Sequence, residues 1–213
     1  MPIITLTTDF GLKDHFLGSV KGALYQDIPD VKIVDISNNI SPFNIIEAAY
    51  IIENSYKNFP AGTIHIIGVD SEFNVEKKHL VIYLDEHYFI CADNGILSLL
   101  CNKIMPEKIV EINIYDNKNT TFPVLDVFVK VAAHIDRGGS IDLVGTKTEK
   151  IIDVYEINPI VNNKKNEIIG HVIYIDNYGN VVLNITRNIF EKFGKSRPYV
   201  INARNYKFNK IYK

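Results

Sequence analysis

The segment TIHIIGV (63–69) is mostly apolar and is followed directly by an aspartate, Asp70. A run this apolar offers no polar face to water, so it predicts a strand that is covered on both sides. Strands of this kind are typical of parallel sheets packed between helices. A carboxylate at the end of such a strand lies either at a functional site or in an ordinary turn.

Two strand–helix repeats precede this segment. The strands are PIITLTT (2–8) and VKIVDI (31–36), and the helices are DHFLGSVKGALYQ (14–26) and SPFNIIEAAYIIENSY (41–56). Ser41 is predicted as the N-cap of the second helix, with Pro42 at its first helical position. Alternation of strands and amphipathic helices predicts a parallel sheet with helices on its faces.

Further elements follow the central strand. Two strand-like runs, HLVIYL (79–84) and YFICA (88–92), flank the sequence DEH, and an amphipathic helix is predicted over 121–139. Together these elements predict an α/β fold, with an N-terminal parallel-sheet sandwich domain over residues 1–150.

The character of the sequence changes near residue 150. Residues 151–167 are polar and interrupted by Pro159, which predicts a linker. Residues 168–213 then contain IIGHVIYID and NVVLNIT, two strands joined around the turn signal NYG, so a small β-rich domain is predicted. So short a domain is marginal alone. We expect it to be incomplete here or stabilised by a neighbour.

Composition excludes several classes of protein. The net charge is −2, and no dense basic cluster suggests nucleic-acid binding. No run approaches the length of a membrane span, and the N-terminus does not resemble a signal peptide. The two cysteines, Cys91 and Cys101, lie in apolar surroundings without metal-ligand spacing, which favours buried thiols in a reducing, cytoplasmic compartment.

Polar residues follow several predicted strands. They are Asp9, the segment SNNIS (37–41), Asp70 and the segment ADNG (92–95). Ligands of open parallel sheets bind outside the carboxyl ends of the strands, and a carboxylate can accept hydrogen bonds from both hydroxyls of a ribose. Each aspartate alone could equally cap a helix or turn. No glycine-rich phosphate loop follows the first strand, and no histidine shows metal-ligand spacing.

Four motifs in order give the chain a resemblance to a known family. LTTDFGLKDHFLGSVKG (6–22), GVDSEFNVEKKHL (68–80), ADNGILS (92–98) and YIDNYGNVVLNI (174–185) resemble the S-adenosyl-L-methionine hydroxide adenosyltransferases, relatives of the fluorinases and chlorinases. The resemblance implies a homotrimer with its site at the subunit interface. It also implies hydrolysis of S-adenosyl-L-methionine (SAM) to adenosine and methionine, without a metal or other cofactor.

The resemblance also implies roles for individual residues. Asp70 and Lys77 correspond to part of the water-activating set of the family, and Asp9 to the residue that binds the ribose hydroxyls. Four further residues would line the substrate pocket: Asp14, Asn94, Asp176 and Asn180.

The chain departs from the family pattern at two of the expected catalytic positions. Lys77 stands where the family has arginine, and lysine lacks the planar, bidentate fork of arginine. Pro123, in FPVLD (122–126), stands where a phrase such as F-H-G-R-D has histidine. The loop SEFN (71–74) also differs from the family's P-G-V-G, and the family's usual C-terminal stretch is not found before Lys213. The chain therefore resembles a divergent member.

Three hypotheses follow from these departures. In the first, the chain is a SAM hydrolase working with Asp70 and Lys77. In the second, it is a non-catalytic binder of adenosine or SAM. In the third, it is a structural or assembly subunit that uses the trimer interface implied by the resemblance. The first two are favoured by the joint retention of six residues, which are Asp9, Asp14, Asp70, Asn94, Asp176 and Asn180. A halogenase has less support, since no distinct halide pocket is visible in the sequence.

Overall fold

The computed structural model describes residues 2–101, 104–114, 120–154 and 158–211. Two compact units divide the chain, an N-terminal unit of residues 1–154 and a C-terminal unit of residues 155–213. Each unit is described by itself. Where the domains and the linker begin and end stays a prediction.

A seven-stranded mixed sheet forms the middle of the N-terminal unit. Its strands are β1 (Ile3–Thr8), β2 (Lys32–Ser37), β3 (Ile64–Gly68), β4 (His79–Leu84), β5 (His87–Ala92), β6 (Lys108–Ile112) and β7 (Gly145–Lys147). They lie in the order β2-β1-β3-β5-β4-β6-β7. The first four in this order pair in parallel, which confirms the predicted parallel sheet.

The other half of the sheet is antiparallel, a feature that the sequence analysis did not predict. Strand β4 pairs antiparallel with β5 and with β6, and β6 pairs antiparallel with β7. Asp85 and Glu86 connect β4 to β5, and both have positive φ angles, of 51° and 64°. Two-residue turns with this backbone twist connect antiparallel strands directly, so β4 and β5 form a hairpin.

Helices cover both faces of this sheet. They are α1 (Phe16–Asp27), α2 (Ile45–Glu53), α3 (Ile96–Leu100) and α4 (Val129–Asp136), and a π-helical turn (Val124–Phe128) leads into α4. Helices α1 and α4 contribute to one buried apolar cluster, and α2 and α3 to the other. Ile66 belongs to the first cluster and Ile67 to the second, as the alternation of side chains along a strand requires.

Helix α2 begins later than predicted. Asn44, not Ser41, is the N-cap, and its side chain accepts a hydrogen bond from the Glu47 N–H. Phe43 has a φ of 62°, in the left-handed region, so the helix cannot extend back through it to Pro42. The Glu47 carboxylate in turn accepts from the Ser41 N–H, which ties the entering chain to the first turn.

Within residues 158–211, the C-terminal unit has three antiparallel strand pairs and one helix. Its elements are β8 (Ile160–Asn162), β9 (Glu167–Ile169), β10 (Val172–Ile175), β11 (Val181–Leu183), α5 (Arg187–Gly194), β12 (Ile201–Ala203) and β13 (Tyr206–Phe208). The predicted hairpin around NYG is present as β10 and β11. Strand β8 lies inside the segment for which a linker is predicted. In the turn between β8 and β9, the Asn162 side chain accepts a hydrogen bond from the Lys165 N–H.

Candidate functional site

The ends of β1 and β3 lie side by side in the sheet. Thr8 pairs with Gly68 in register, and the Asp9 N–H donates to the Gly68 carbonyl at 3.3 Å. Asp9 and Asp70 therefore follow neighbouring strands at the same edge. Gly68 is closely enclosed there, because a Cβ would lie 3.0 Å from both the Phe10 ring and the Val124 side chain.

Asp9 fixes the conformation of an exposed aromatic residue. Its Oδ2 accepts a hydrogen bond from the Phe43 N–H at 2.9 Å. The backbone of Phe43 is in the left-handed region, with a φ of 62°, and the residue is 70% exposed. An exposed aromatic ring therefore lies next to the Asp9 carboxylate. Backbone conformations of this kind are costly for a non-glycine residue and concentrate at functional sites. No local pattern indicates this contact, which spans 34 residues.

Asp70 and Lys77 form a close ion pair. The Lys77 Nζ lies 2.6 Å from the Asp70 Oδ1, and the side chains are 14% and 31% exposed, respectively. The loop between them is held by Asn74, whose Oδ1 accepts from the Lys77 N–H at 2.6 Å and from the Glu76 N–H at 2.9 Å. The pair is thus partly shielded from solvent while the carboxylate stays accessible.

The main chain around Asp70 is bound by side chains from β4 and from the loop after β5. The Asn94 Nδ2 donates to the Val69 carbonyl at 2.9 Å and to the Asp70 carbonyl at 3.2 Å. The ring of His79 lies 2.9 Å from the Ser71 carbonyl through its Nε2. Asp70 itself has a φ of 45°, in the left-handed region. The amide of Asn94, a predicted substrate-binding residue, is thus engaged with the main chain.

His79 is a buried histidine that the sequence analysis did not select. It is 0% exposed, and its ring packs edge to face against Phe128, with centroids 5.0 Å apart. Burial, with a smaller contribution from the positive charge of Lys77, lowers the pKa of His79 to about 4, although the hydrogen bond to the Ser71 carbonyl acts in the opposite direction. The imidazole is therefore neutral near pH 7. A lone histidine with no ligand spacing carries no sequence signal, which is why it was missed.

The position of the expected histidine lies at the same edge of the sheet. Pro123 is the N-cap of the π-helical turn, and Val124 directly after it packs against Gly68. The rings of Phe122 and Phe10 contact each other with centroids 5.5 Å apart. Proline suits the start of a helix, since its missing N–H is not needed there. It offers no side-chain acid, base or hydrogen-bond donor.

Asp14 lies in the connection between β1 and α1, two residues before the helix begins, and is exposed. Asp176 and Asn180 are in the C-terminal unit, in the turn between β10 and β11. There the Asp176 carboxylate accepts from the Asn180 Nδ2 at 2.7 Å and from two backbone N–H groups. These hydrogen bonds, that of Asn180 foremost, lower the pKa of Asp176.

The described residues include neither a cluster of metal ligands nor a helix that could span a membrane. Within the described ranges no group of three or more histidine, cysteine, aspartate or glutamate residues is placed to hold a metal ion. Across the same part of the chain no helix has the length and apolarity needed to cross a membrane. Cys91 and Cys101 are both buried free thiols, as predicted.

Comparison with known proteins identifies matches along most of the chain. The family model for the SAM hydroxide adenosyltransferase N-terminal domain matches residues 4–145, and that for the C-terminal domain matches residues 170–213. An (R)-S-adenosyl-L-methionine hydrolase of Methanocaldococcus jannaschii is 31% identical over 194 residues, which cover 88% of this chain and 68% of that protein. A fluorinase of Nocardia brasiliensis is 23% identical, covering 91% of this chain and 74% of that protein.

Solved structures show the same fold. The crystal structure of an uncharacterized conserved protein from Thermotoga maritima superposes with a TM-score of 0.83 and 29% identity, covering 97% of this chain and 81% of that one. A conserved hypothetical protein from Thermus thermophilus superposes with a TM-score of 0.68 over 86% of this chain.

Proposed function

The chain belongs to the SAM hydroxide adenosyltransferase family, and from this membership and the geometry of its site we propose that it hydrolyses SAM to adenosine and methionine. The observation that carries the proposal is the contact between Asp70 and Lys77, 2.6 Å apart at the sheet edge that also holds Asp9. The family's arginine is replaced, yet a cation still reaches the carboxylate.

The reaction places modest demands on the protein. Water attacks C5′ of the adenosyl group, a C–O bond forms, and the C5′–S bond breaks with its electron pair passing to sulfur. Because a neutral thioether leaves, no acid is needed at the leaving group. The enzyme must hold the water in line with C5′ and accept its proton, tasks of positioning and general base catalysis.

In this proposal Asp70 orients the water and accepts its proton, while Lys77 holds the carboxylate in place. A lysine donates from a single nitrogen and cannot bind both carboxylate oxygens side by side as the guanidinium of arginine does. One Asp70 oxygen is engaged by Lys77, so the other remains for the water. Pro123 takes no chemical part.

The substrate contacts are proposed from the family resemblance. Asp9 accepts from the ribose hydroxyls, beside the exposed ring of Phe43. Asn94 shapes the pocket by binding the main chain at Val69 and Asp70. The remaining pocket residues in this proposal are Asp14, Asp176 and Asn180. No resident cofactor or metal takes part.

We further propose a homotrimer in which the C-terminal unit of one subunit completes the site of its neighbour. The support is that no described residue in 158–211 is buried, so this unit lacks a core of its own. Sedimentation or light scattering should then give three times the 24.2 kDa chain mass. The two buried free thiols support a reducing, cytoplasmic location.

A second candidate, a non-catalytic binder of adenosine or SAM, is favoured by one observation. Pro123 removes the side chain that the family pattern places next to the aspartate, and Lys77 replaces the arginine. In that case Asp9 would still bind a nucleoside while the water at Asp70 would not be activated.

The deciding experiment follows adenosine and methionine by chromatography after incubation of the purified protein with SAM. Asp70→Asn should lower kcat by about 100-fold or more, since the base is lost. Asp35→Asn is a matched control, because Asp35 also pairs with a lysine, Lys21, at 2.6 Å but on β2. Turnover by the wild type that survives in Asp70→Asn would refute the role of Asp70. No turnover, with adenosine binding retained in calorimetry, would establish the binder.

A further inference from the structure

Side chains bind three consecutive carbonyl groups at the end of β3. Asn94 donates to the carbonyls of Val69 and Asp70, and His79 lies 2.9 Å from the carbonyl of Ser71. A carbonyl oxygen only accepts hydrogen bonds, so the Nε2 of His79 carries the hydrogen. Asp70 sits between these contacts.

Asp70 needs such support because of its backbone. A φ of 45° is unfavourable for a residue with a Cβ. A conformation of this kind persists only where the surroundings determine it. Released from these hydrogen bonds, the residue would relax toward negative φ and carry its carboxylate away from Lys77.

We propose that His79 is a positioning residue for hydrolysis, acting through the Ser71 carbonyl to hold Asp70 against Lys77; this rests on the proposed function. His79 itself touches neither the substrate nor the water, since it is fully buried. Its task is to fix the loop that enters directly after the catalytic carboxylate.

The surroundings of His79 suit this task and disfavour charged donors. The ring is held between Phe73 and Phe128, with centroid distances of 5.3 and 5.0 Å, which fixes the direction of the Nε2–H bond. Lys77 is close enough to disfavour a positive charge on the ring. A lysine or arginine at position 79 would bury a second cation there, whereas a neutral imidazole donates without charge.

His79 also has an atom that serves no structural hydrogen bond. Its Nδ1 is buried and finds no hydrogen-bond partner among the residues that the structure describes. A histidine kept for packing alone would be matched by phenylalanine, which would avoid this cost. The Nε2 contact to Ser71 is therefore the property that requires histidine at this position.

The test compares two variants at position 79 with a control. His79→Phe keeps an aromatic ring but removes the donor, and His79→Gln restores a neutral donor near the position of Nε2. His65→Phe is the matched control, another buried histidine, on β3 and about 15 Å along the strand from Asp70. For each protein kcat, KM and thermal stability are measured, together with amide hydrogen exchange of residues 70–78.

We expect His79→Phe to lower kcat by about 10- to 100-fold, with KM within about threefold of wild type, because displacements near 1 Å have effects of this size. Exchange in residues 70–78 should accelerate in this variant alone. His79→Gln should recover most of kcat and the slow exchange. His65→Phe should lose thermal stability but keep kcat.

Three outcomes would overturn the proposal. They are unchanged exchange in His79→Phe, a His79→Gln variant as impaired as His79→Phe, or an equal loss of kcat in His65→Phe. Should the wild type itself fail to hydrolyse SAM, the proposed function falls. The exchange comparison still decides whether His79 holds the loop, so the two failures are distinguishable.

Discussion

Residues 1–154 bury two apolar clusters against the faces of a seven-stranded sheet, whereas none of the described residues in 158–211 is buried. The C-terminal unit instead exposes many large apolar side chains. Among them are Ile160, Val172, Ile175, Val181, Tyr206 and Phe208. Isolated two-stranded hairpins are marginal in water, and this unit has three of them.

The difference indicates that the two units obtain stability from different sources. The N-terminal unit holds its own core and keeps Asp70 and Lys77 in contact within a rigid frame. In our proposal the C-terminal unit depends on surface supplied by a neighbouring subunit.

The first prediction separates the units. Residues 1–154 expressed alone should unfold in one cooperative transition, because both buried clusters lie within them. Residues 155–213 alone should show no cooperative transition, since none of the described residues in 158–211 is buried and isolated hairpins are marginal in water. Circular dichroism on thermal denaturation measures both. A sharp transition in the isolated C-terminal unit would break the contrast.

The second prediction compares two phenylalanines. Phe89 is fully buried in β5, so Phe89→Ala should lower the free energy of unfolding by about 3–5 kcal/mol. Phe190 is half-buried in α5 and contacts Tyr199, with centroids 5.0 Å apart. In the isolated subunit Phe190→Ala should cost about 1 kcal/mol. Urea titration gives both values; equal losses would show that the C-terminal unit has an equivalent core.

The third prediction concerns pH and the buried His65. Burial, followed by the neighbouring His87, lowers the pKa of His65 to about 3, so this side chain is neutral in the folded state. The unfolded chain takes up a proton below about pH 6.5. Stability is therefore retained above that pH and lost as the pH falls from about 6.5 toward 3, at about 1.4 kcal/mol per pH unit.

Urea titrations at pH 7, 6 and 5 test this dependence. His65→Phe should reduce the slope by about 1 kcal/mol per pH unit between pH 6 and 5. The control is His171→Asn in the C-terminal unit, where His171 is exposed. If His171→Asn changes the pH slope of the free energy of unfolding as much as His65→Phe does, burial of His65 is not the cause of that slope.

The smallest expected effect is at an exposed ion pair. Arg187 and Glu191 lie one turn apart on α5, 2.6 Å from each other, with side chains 70% and 60% exposed. Glu191→Gln should change the free energy of unfolding by less than about 0.5 kcal/mol, and less again in high salt. Denaturation with and without 1 M salt measures it. A loss above 1 kcal/mol would indicate that this helix is packed against other surface.

Much of the fold was predictable because the signals are local. The first three strands and the helices between them follow from apolar periodicity, and the turn around NYG from its composition. The antiparallel half of the sheet was not predicted as such, since periodicity does not report strand direction. The start of α2 depends on Phe43, whose conformation is set by Asp9 from 34 residues away. No local pattern contains that contact.

The candidate site shows the same limit. Asp70 was selected because it ends an apolar strand, and Lys77 by the family spacing; the structure brings both within hydrogen-bond distance. Their catalytic roles stay a prediction. His79 could not be selected, because its significance lies in the carbonyl it faces and not in any spacing. A contact of this kind, between a side chain and a carbonyl group of another segment, has no sequence pattern that would reveal it.

The hydrogen bonds to Val69, Asp70 and Ser71 also bear on the order in which the chain acquires function. Their donors follow Asp70 in sequence: His79 is the first residue of β4, and Asn94 lies in the loop after β5. A growing chain that already contains Asp70 and Lys77 still lacks the contacts that set the carboxylate. In the proposed mechanism the site is therefore complete only when the hairpin of β4 and β5 and the loop after it are docked beside β3.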